Sequence, residues 1–169
     1  RWGKIRDELH AEICRRGFND TLSSFVQSYD TDLLDASLLM IPLVGFLPAS
    51  DPRMKGTVAA IEKHLLRDGF VQRYHTAKSD DGLPPGEGAF LACTFWYSDN
   101  LVLQERTAEA TETFERLLGL CNDVGLLAEE YDTTLHRQLG NFPQAFTHLA
   151  LINAALELAG DGGANLRRA

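Results

Sequence analysis

Residues 89–118 read Ala89-Phe-Leu-Ala-Cys-Thr-Phe-Trp-Tyr-Ser-Asp-Asn-Leu-Val-Leu103, then Gln-Glu-Arg106, then Thr107-Ala-Glu-Ala-Thr-Glu-Thr-Phe-Glu-Arg-Leu-Leu118. The first part carries Phe90, Leu91, Phe95, Trp96, Tyr97, Leu101 and Val102 on most sides, the pattern of a helix enclosed by neighbours. The second keeps Phe114, Leu117, Leu118 and Cys121 in one stripe, with Thr107 placed to cap it. A short link between an enclosed helix and a half-exposed one makes the two antiparallel neighbours. This is an αα-hairpin.

The same alternation runs outward in both directions. Leu33 to Leu47 predicts an enclosed helix, apolar nearly all round. Asp51-Pro52 then starts an amphipathic one, with Asp as cap and Pro at the first helical position. Its stripe is Met54, Val58, Ile61 and Leu65, and it is expected to stop before Asp68-Gly69. Upstream, Trp2, Ile5, Leu9 and Ile13 make a stripe over Trp2–Arg16. Downstream, Pro143 opens a third enclosed helix through Ala145, Phe146, Leu149, Ala150, Leu151, Ile152, Ala154 and Leu156. No strand pattern of any length interrupts the order. The prediction is an all-α array of three αα-hairpins, with inner helices surrounded and outer helices wet on one face. No repeat is visible in the sequence itself, which argues against a regular solenoid.

The links are asymmetric. Those from inner to outer helices, at 48–51 and 104–107, are short, whereas those after Arg16, Arg67 and Cys121 are long. Loops beyond about 12–15 residues in a compact domain usually carry function. If the inner helices run parallel, the three long loops open on one rim, and the active site is expected there. Three hairpins leave the end helices without neighbours on one side. The chain also begins Arg1-Trp2 without an initiator Met. Both features suggest a piece of something longer.

Composition sets outer limits. The 169 residues are 44% hydrophobic and 24% charged, which permits a packed core. A net charge of −8 argues against a general nucleic-acid binder, which needs a basic face for phosphates. No run approaches the roughly 20 apolar residues of a membrane-spanning helix. Cys14, Cys93 and Cys121 are odd in number and far apart, so neither a zinc site nor a disulfide scaffold is suggested. Free, buried or half-buried thiols are the expectation, and with them a reducing, cytoplasmic location. No metal cluster or cofactor fingerprint is present, since Gly86-Glu87-Gly88 follows no strand, and no cofactor is expected.

Two loops carry candidate chemistry. The third long loop holds adjacent carboxylates, Glu129-Glu130, after the apolar trio Leu126-Leu127-Ala128. Such a pair either does acid–base work or forms a solvated acidic turn. The second long loop holds Arg73-Tyr74-His75, and then Gly82 to Gly88 crowd glycine and proline ahead of the helix bearing Phe90, Phe95, Trp96 and Tyr97. Rings beside carboxylates and an arginine suit a sugar, whose apolar face stacks while its hydroxyls hydrogen-bond. The alternatives are plain core for the rings and a surface ion pair for Arg73. His64 is expected in solvent, and His148 is expected to be a satisfied core histidine.

Gly125-Leu-Leu-Ala-Glu-Glu-Tyr-Asp132, followed by Leu139-Gly-Asn-Phe-Pro-Gln-Ala-Phe-Thr-His-Leu-Ala-Leu-Ile-Asn-Ala-Ala155, resembles the end of the catalytic domain of bacterial glycoside hydrolase family 15, the glucoamylase, glucodextranase and trehalase family. Leu34-Asp-Ala-Ser-Leu-Leu39, Gly45-Phe-Leu-Pro48 with Asp51-Pro-Arg53, and Asp81-Gly-Leu-Pro-Pro-Gly-Glu-Gly-Ala-Phe-Leu91 resemble it in the same order. The resemblance implies that residues 1–158 are the C-terminal portion of such a domain, about half of an (α/α)6 toroid. Residues 159–169 are a Gly/Arg-rich tail outside it, expected to be disordered.

The family hydrolyses α-glucosidic bonds with inversion, using two carboxylic acids. The resemblance implies that Glu129 is the general base and that Glu130, its neighbour, binds or orients the sugar or water. It places Arg73 at the glucose subsite and Glu87 and Phe90 at the mouth. The general acid belongs to an upstream Trp-Glu motif that this sequence does not contain. The expected partners are an α-glucoside (trehalose or a malto- or isomalto-oligosaccharide) and the missing N-terminal half of the parent. Neither nucleic acid nor membrane is expected, and self-association is expected of an open toroid edge. The competing reading is a non-catalytic helical-array module that binds carbohydrate or protein through its long-loop rim.

Overall fold

The computed structural model describes residues 1–75 and 88–160. Glu87, and the predicted tail from residue 161 onward, lie outside them. Six α-helices dominate the described residues: α1 (Trp2–Arg16), α2 (Met40–Leu43), α3 (Pro52–His64), α4 (Leu91–Leu103), α5 (Thr107–Leu118) and α6 (Ala145–Leu158). The all-α reading holds. Seven short strands accompany the helices, each of two or three residues: β1 (Phe18–Asn19), β2 (Ser24–Phe25), β3 (Leu66–Arg67), β4 (Phe70–Val71), β5 (Ala89–Phe90), β6 (Glu130–Asp132) and β7 (Arg137–Leu139). Strands this short show no alternation, so the sequence gives no warning of them.

Helix α4 is the centre. Ten of its 13 residues are buried, so its polar side chains must find partners inside the protein. Thr94 Oγ1 accepts from Val71 N at 2.9 Å, tying α4 to β4. Ser98 Oγ donates to Ala110 O at 3.1 Å, tying it to α5. Asn100 Nδ2 donates to Leu39 O at 2.9 Å. Around these bonds lie two apolar clusters. One joins Leu39, Val58, Ile61, Leu65, Val71 and Leu101. The other joins Leu91, Phe95, Leu117, Leu127, Ala150 and Ala154, so α4 packs against α5 and α6.

Helix α3 follows its sequence signals closely. Asp51 caps it, accepting from Arg53 N at 2.9 Å with Pro52 in the first turn. Met54, Val58, Ile61 and Leu65 are all buried. Asp68-Gly69 plays a different part from the one expected. Both residues have positive φ, 52° and 82°, and they turn the hairpin β3–β4 rather than closing the helix.

Four further expectations are corrected. Leu33–Leu47 is not one helix. A 3-10 turn over Ala36–Leu39 leads into the four-residue α2. Asp35 starts this turn by accepting from Ser37 N at 2.7 Å, and Gly45 at φ 74° turns the chain after it. Thr107 is the first residue of α5 rather than its cap, which is Arg106. Leu118, assigned to the buried stripe, is exposed, and Ala110 and Thr113 face the core instead. Helix α6 buries only Thr147, Ala150 and Ala154. Phe146, Leu149, Ile152 and Leu156 are exposed, a stripe at helical spacing on its outer face.

Candidate active site

The three long connections meet through backbone bonds. Asp35, ending the first, forms a β-bridge with Tyr74 in the second, and Ala36 N donates to Arg73 O at 2.7 Å. The second connection ends in β5, which pairs antiparallel with β6 of the third, and β6 pairs with β7. The register sets Phe90 opposite Glu130 and Glu130 opposite Leu139. Cross-strand partners share a face, so the Phe90 and Glu130 side chains leave the sheet on the same side. The second and third long loops thus meet at this three-stranded sheet, and the first reaches the second through the Asp35–Tyr74 bridge outside it.

Glu129 stands at the junction of sheet and helix. Its carbonyl accepts from Leu91 N, the first residue of α4, at 3.1 Å. Its own N–H donates to Asn141 O at 3.0 Å. Its half-buried side chain turns back to the same residue: Oε2 accepts from Asn141 Nδ2 at 2.9 Å and from Asn141 N at 3.1 Å. Glu130 Oε2 accepts from Gly88 N at 2.9 Å. The adjacent carboxylates are therefore separately held, which a freely solvated acidic turn would not require.

Arg73 makes no surface ion pair among the described residues. Its guanidinium carbon lies 5.5 Å from the Phe90 ring centroid and 5.2 Å from that of Tyr74, within the range of cation–π attraction. Beneath it, Cys93 is buried in α4, and burial pushes its thiol well above the ordinary range. The structure thus brings Arg73, Phe90, Glu129 and Glu130 into one region. Glu87 lies outside the described residues.

Several supports carry no sequence-level assignment. Gln138 staples the third loop: its Oε1 accepts from Ala128 N, and its Nε2 donates to Leu120 O at 2.8 Å. His148 Nε2 accepts from Leu127 N at 3.3 Å while its Nδ1 meets Gln144 O at 2.7 Å. This is the satisfied histidine that was expected, in its Nδ1–H tautomer. His64 is half-buried rather than solvated, lining a small cavity with Tyr74 and His75. Asp132 turns the β6–β7 connection, and the N–H groups of Leu135 and Thr134 hold its carboxyl below the usual range. Gly140 and Asn141 sit in the Leu139-Gly-Asn-Phe-Pro stretch already quoted, and Gln138 directly precedes it. The only local signal was a glycine directly before a side-chain amide. Among the described residues, no group of three His, Cys, Asp or Glu is placed to hold a metal ion.

Comparison with known proteins accounts for nearly the whole chain. The model of the family described as Glycosyl hydrolases family 15 matches residues 1–156. A trehalase of Thermoplasma volcanium is 44% identical over 158 residues, covering 93% of this chain and 25% of its own length. A trehalase of Mycobacterium tuberculosis is 46% identical over 157 residues, covering 93% of this chain and 23% of its own. The chain thus spans about a quarter of the length of these curated relatives. Among solved structures, a glycosidase variant in complex with glucose superposes with a TM-score of 0.75 at 21% identity, covering 92% of this chain and 43% of that one. The wild-type glycosidase gives 0.74 at 22% identity, with the same coverage. At such identities the likeness is one of fold, whereas the family assignment rests on the sequence match: this chain belongs to Glycosyl hydrolases family 15.

Proposed function

We propose that the chain is the C-terminal portion of the catalytic domain of an inverting α-glucoside hydrolase, with residues 1–158 forming about half of an (α/α)6 toroid. Glu129 is its general base. It takes a proton from water as the water oxygen bonds to the anomeric carbon. The glycosidic C–O bond breaks, and the leaving oxygen takes a proton from an acid outside this chain. In inverting enzymes the two carboxyl groups stand about 6.5–9.5 Å apart to admit that water.

The observation that carries this reading is the state of the Glu129 carboxylate. Oε2 is held twice by Asn141. Oε1 has no protein donor among the described residues and remains for water. Glu130, fixed by Gly88 N, orients sugar or water beside it. The Phe90 ring and the Arg73 guanidinium offer a stacking face and hydroxyl donors. The names of the relatives favour trehalose within the class, ahead of malto- and isomalto-oligosaccharides. Alone, the chain is inactive, since losing one acid–base group costs about 10²–10⁴-fold. The exposed stripe of α6, Phe146, Leu149, Ile152 and Leu156, is where the rest of the parent packs or, in its absence, a second copy associates. Three free thiols suit a reducing, cytoplasmic compartment. No helix among the described residues is long and apolar enough to cross a membrane.

The test is hydrolysis by the full-length parent, wild type beside Glu129→Gln, on trehalose, maltose, isomaltose and soluble starch, with the released anomer followed by NMR. Release of β-glucose that Glu129→Gln abolishes supports the reading. An inert parent, or a fully active Glu129→Gln, overturns it.

A further inference from the structure

We propose that Asn141 is the positioning residue of Glu129: its main-chain and side-chain donors converge on one oxygen and aim the other at the reacting water. The inference rests on Glu129 being the base. It goes beyond that reading by making the carboxylate's direction the property of a second residue, twelve positions away.

The clasp has three bonds. Glu129 N donates to Asn141 O at 3.0 Å, which pairs the two backbones. Asn141 N and Nδ2 donate to Oε2 at 3.1 and 2.9 Å. A glutamate has three side-chain torsions, and a single donor leaves the carboxylate free to swing about that contact. Two donors on one oxygen, from a residue whose backbone is itself paired, fix where Oε1 points. The rotamer freedom is then lost on folding rather than in the reaction, and an attacking water meets a base already in place. Gly140 lets the backbone come this close. It sits at φ 75°, and a Cβ there would lie 2.9 Å from Glu129 Oε2.

A purely architectural role fits Asn141 less well. The residue is exposed, and among the described residues its side-chain amide makes no hydrogen bond except to Glu129. An amide serving the turn alone would bond to the turn's own backbone, as Asn122 does by accepting from Val124 N and Leu126 N. Asn141 spends its side-chain donor on the carboxylate.

The experiment is a double-mutant cycle in the full-length parent, with Asn141→Ala, Glu129→Gln and the pair, assayed on trehalose. Asn141→Asp accompanies them as a near-isosteric variant that removes the donor while keeping the shape. Asn141→Ala is expected to lower kcat by about 10- to 100-fold, the cost of a misplaced reacting group, with KM changed by less than about twofold. In the Glu129→Gln background the same substitution is expected to cost less than about twofold, because there is no base left to aim. Asn141→Asp is expected to lower kcat at least as much as Asn141→Ala, with an unchanged circular dichroism spectrum. Equal loss in both backgrounds, or no loss in the first, overturns the positioning role while leaving the base assignment standing. Full activity in Glu129→Gln, or an inert wild type, overturns the base assignment and this inference with it.

Discussion

Gly140 lies against Glu129 so closely that a Cβ built on the glycine would stand 2.9 Å from the carboxylate Oε2 and 3.1 Å from the glutamate Cβ. The contact is backbone against side chain, and Gly140 also holds a positive φ of 75°. Both features exclude a larger residue, the first by space and the second by conformation. The side that yields is the carboxylate, because the strand pairing behind it is fixed by Leu91 and Asn141.

Gly140→Ala is therefore expected to displace the Glu129 carboxylate without unfolding the sheet. In the full-length parent, kcat on trehalose should fall by about 10-fold or more. The circular dichroism spectrum should be retained. Wild-type kcat in a folded Gly140→Ala protein would show that the direction of this carboxylate does not matter.

Arg73 is exposed, and its guanidinium sits over the rings of Tyr74 and Phe90 rather than against a carboxylate of the described residues. Little stability depends on it, so Arg73→Ala should change unfolding by no more than about 0.5 kcal/mol. Its expected effect is on the sugar: KM should rise by about 10-fold or more, since a charged donor gives roughly 1.5–3 kcal/mol. Arg73→Lys should recover only part of the loss, because an ammonium lacks the planar fork and the stacking face. Parallel KM and melting series for the two variants test this. A lower melting temperature with unchanged KM would assign Arg73 to the fold alone.

What the sequence made legible follows from the range of the interactions involved. Helices α1 and α3 declare themselves through contacts three and four residues apart, and Asp51-Pro52 marks the start of α3 by local chemistry. Over Leu33–Leu47 the hydropathy was right and the shape was not. A buried segment is apolar whether helical or not, and Asp35 bonding Ser37 N fixes a short turn that periodicity does not register. Helix α6 is apolar on most sides, yet the described residues cover only one of its faces. At the site, Glu129, Glu130, Arg73 and Phe90 were candidates from their residue types and took their roles from resemblance to a family, while the sheet that pairs Phe90 with Glu130 is a matter of register. Asn141 went unassigned because its contact with Glu129 depends on how β6 and β7 pair, which no local pattern encodes.

Asp51 accepts from Arg53 through both side chain and backbone, with Arg53 Nη2 at 2.7 Å from Oδ2 and Arg53 N at 2.9 Å from Oδ1. The guanidinium first, and the capped N–H after it, hold the Asp51 carboxyl below its ordinary value. A lowered folded-state value means the stabilisation is complete above the unfolded carboxylate's pKa, about 3.9, and is lost as pH falls through the folded one. Asp51→Ala should thus cost about 1–2 kcal/mol at pH 7, and the same at pH 6. The gap from wild type should narrow below about pH 4. Urea denaturation across pH 3–7 measures it, and a gap that widened on acidification would contradict the assigned cause.

The three cysteines should separate by reactivity, because only the thiolate attacks a disulfide reagent. Cys93 lies in the first turn of α4, almost fully buried, and burial drives its thiol far up. Cys121 is half-buried just past α5, and burial raises it as well, by less. Cys14 is half-buried on α1, with Sγ 3.8 Å from His10 Nδ1. In the native protein at pH 8, an aromatic disulfide reagent should modify Cys14 first, Cys121 more slowly and Cys93 not at all. All three should react once denaturant is added. Because Cys93 lies beneath Arg73 and the bridge between Asp35 and Tyr74, its labelling also reports on the rim. Opening of that corner exposes the thiol, so sugar binding to the parent should slow any residual Cys93 modification. Rapid native labelling of Cys93 would mean that α4 is not the enclosed helix around which the other elements are arranged.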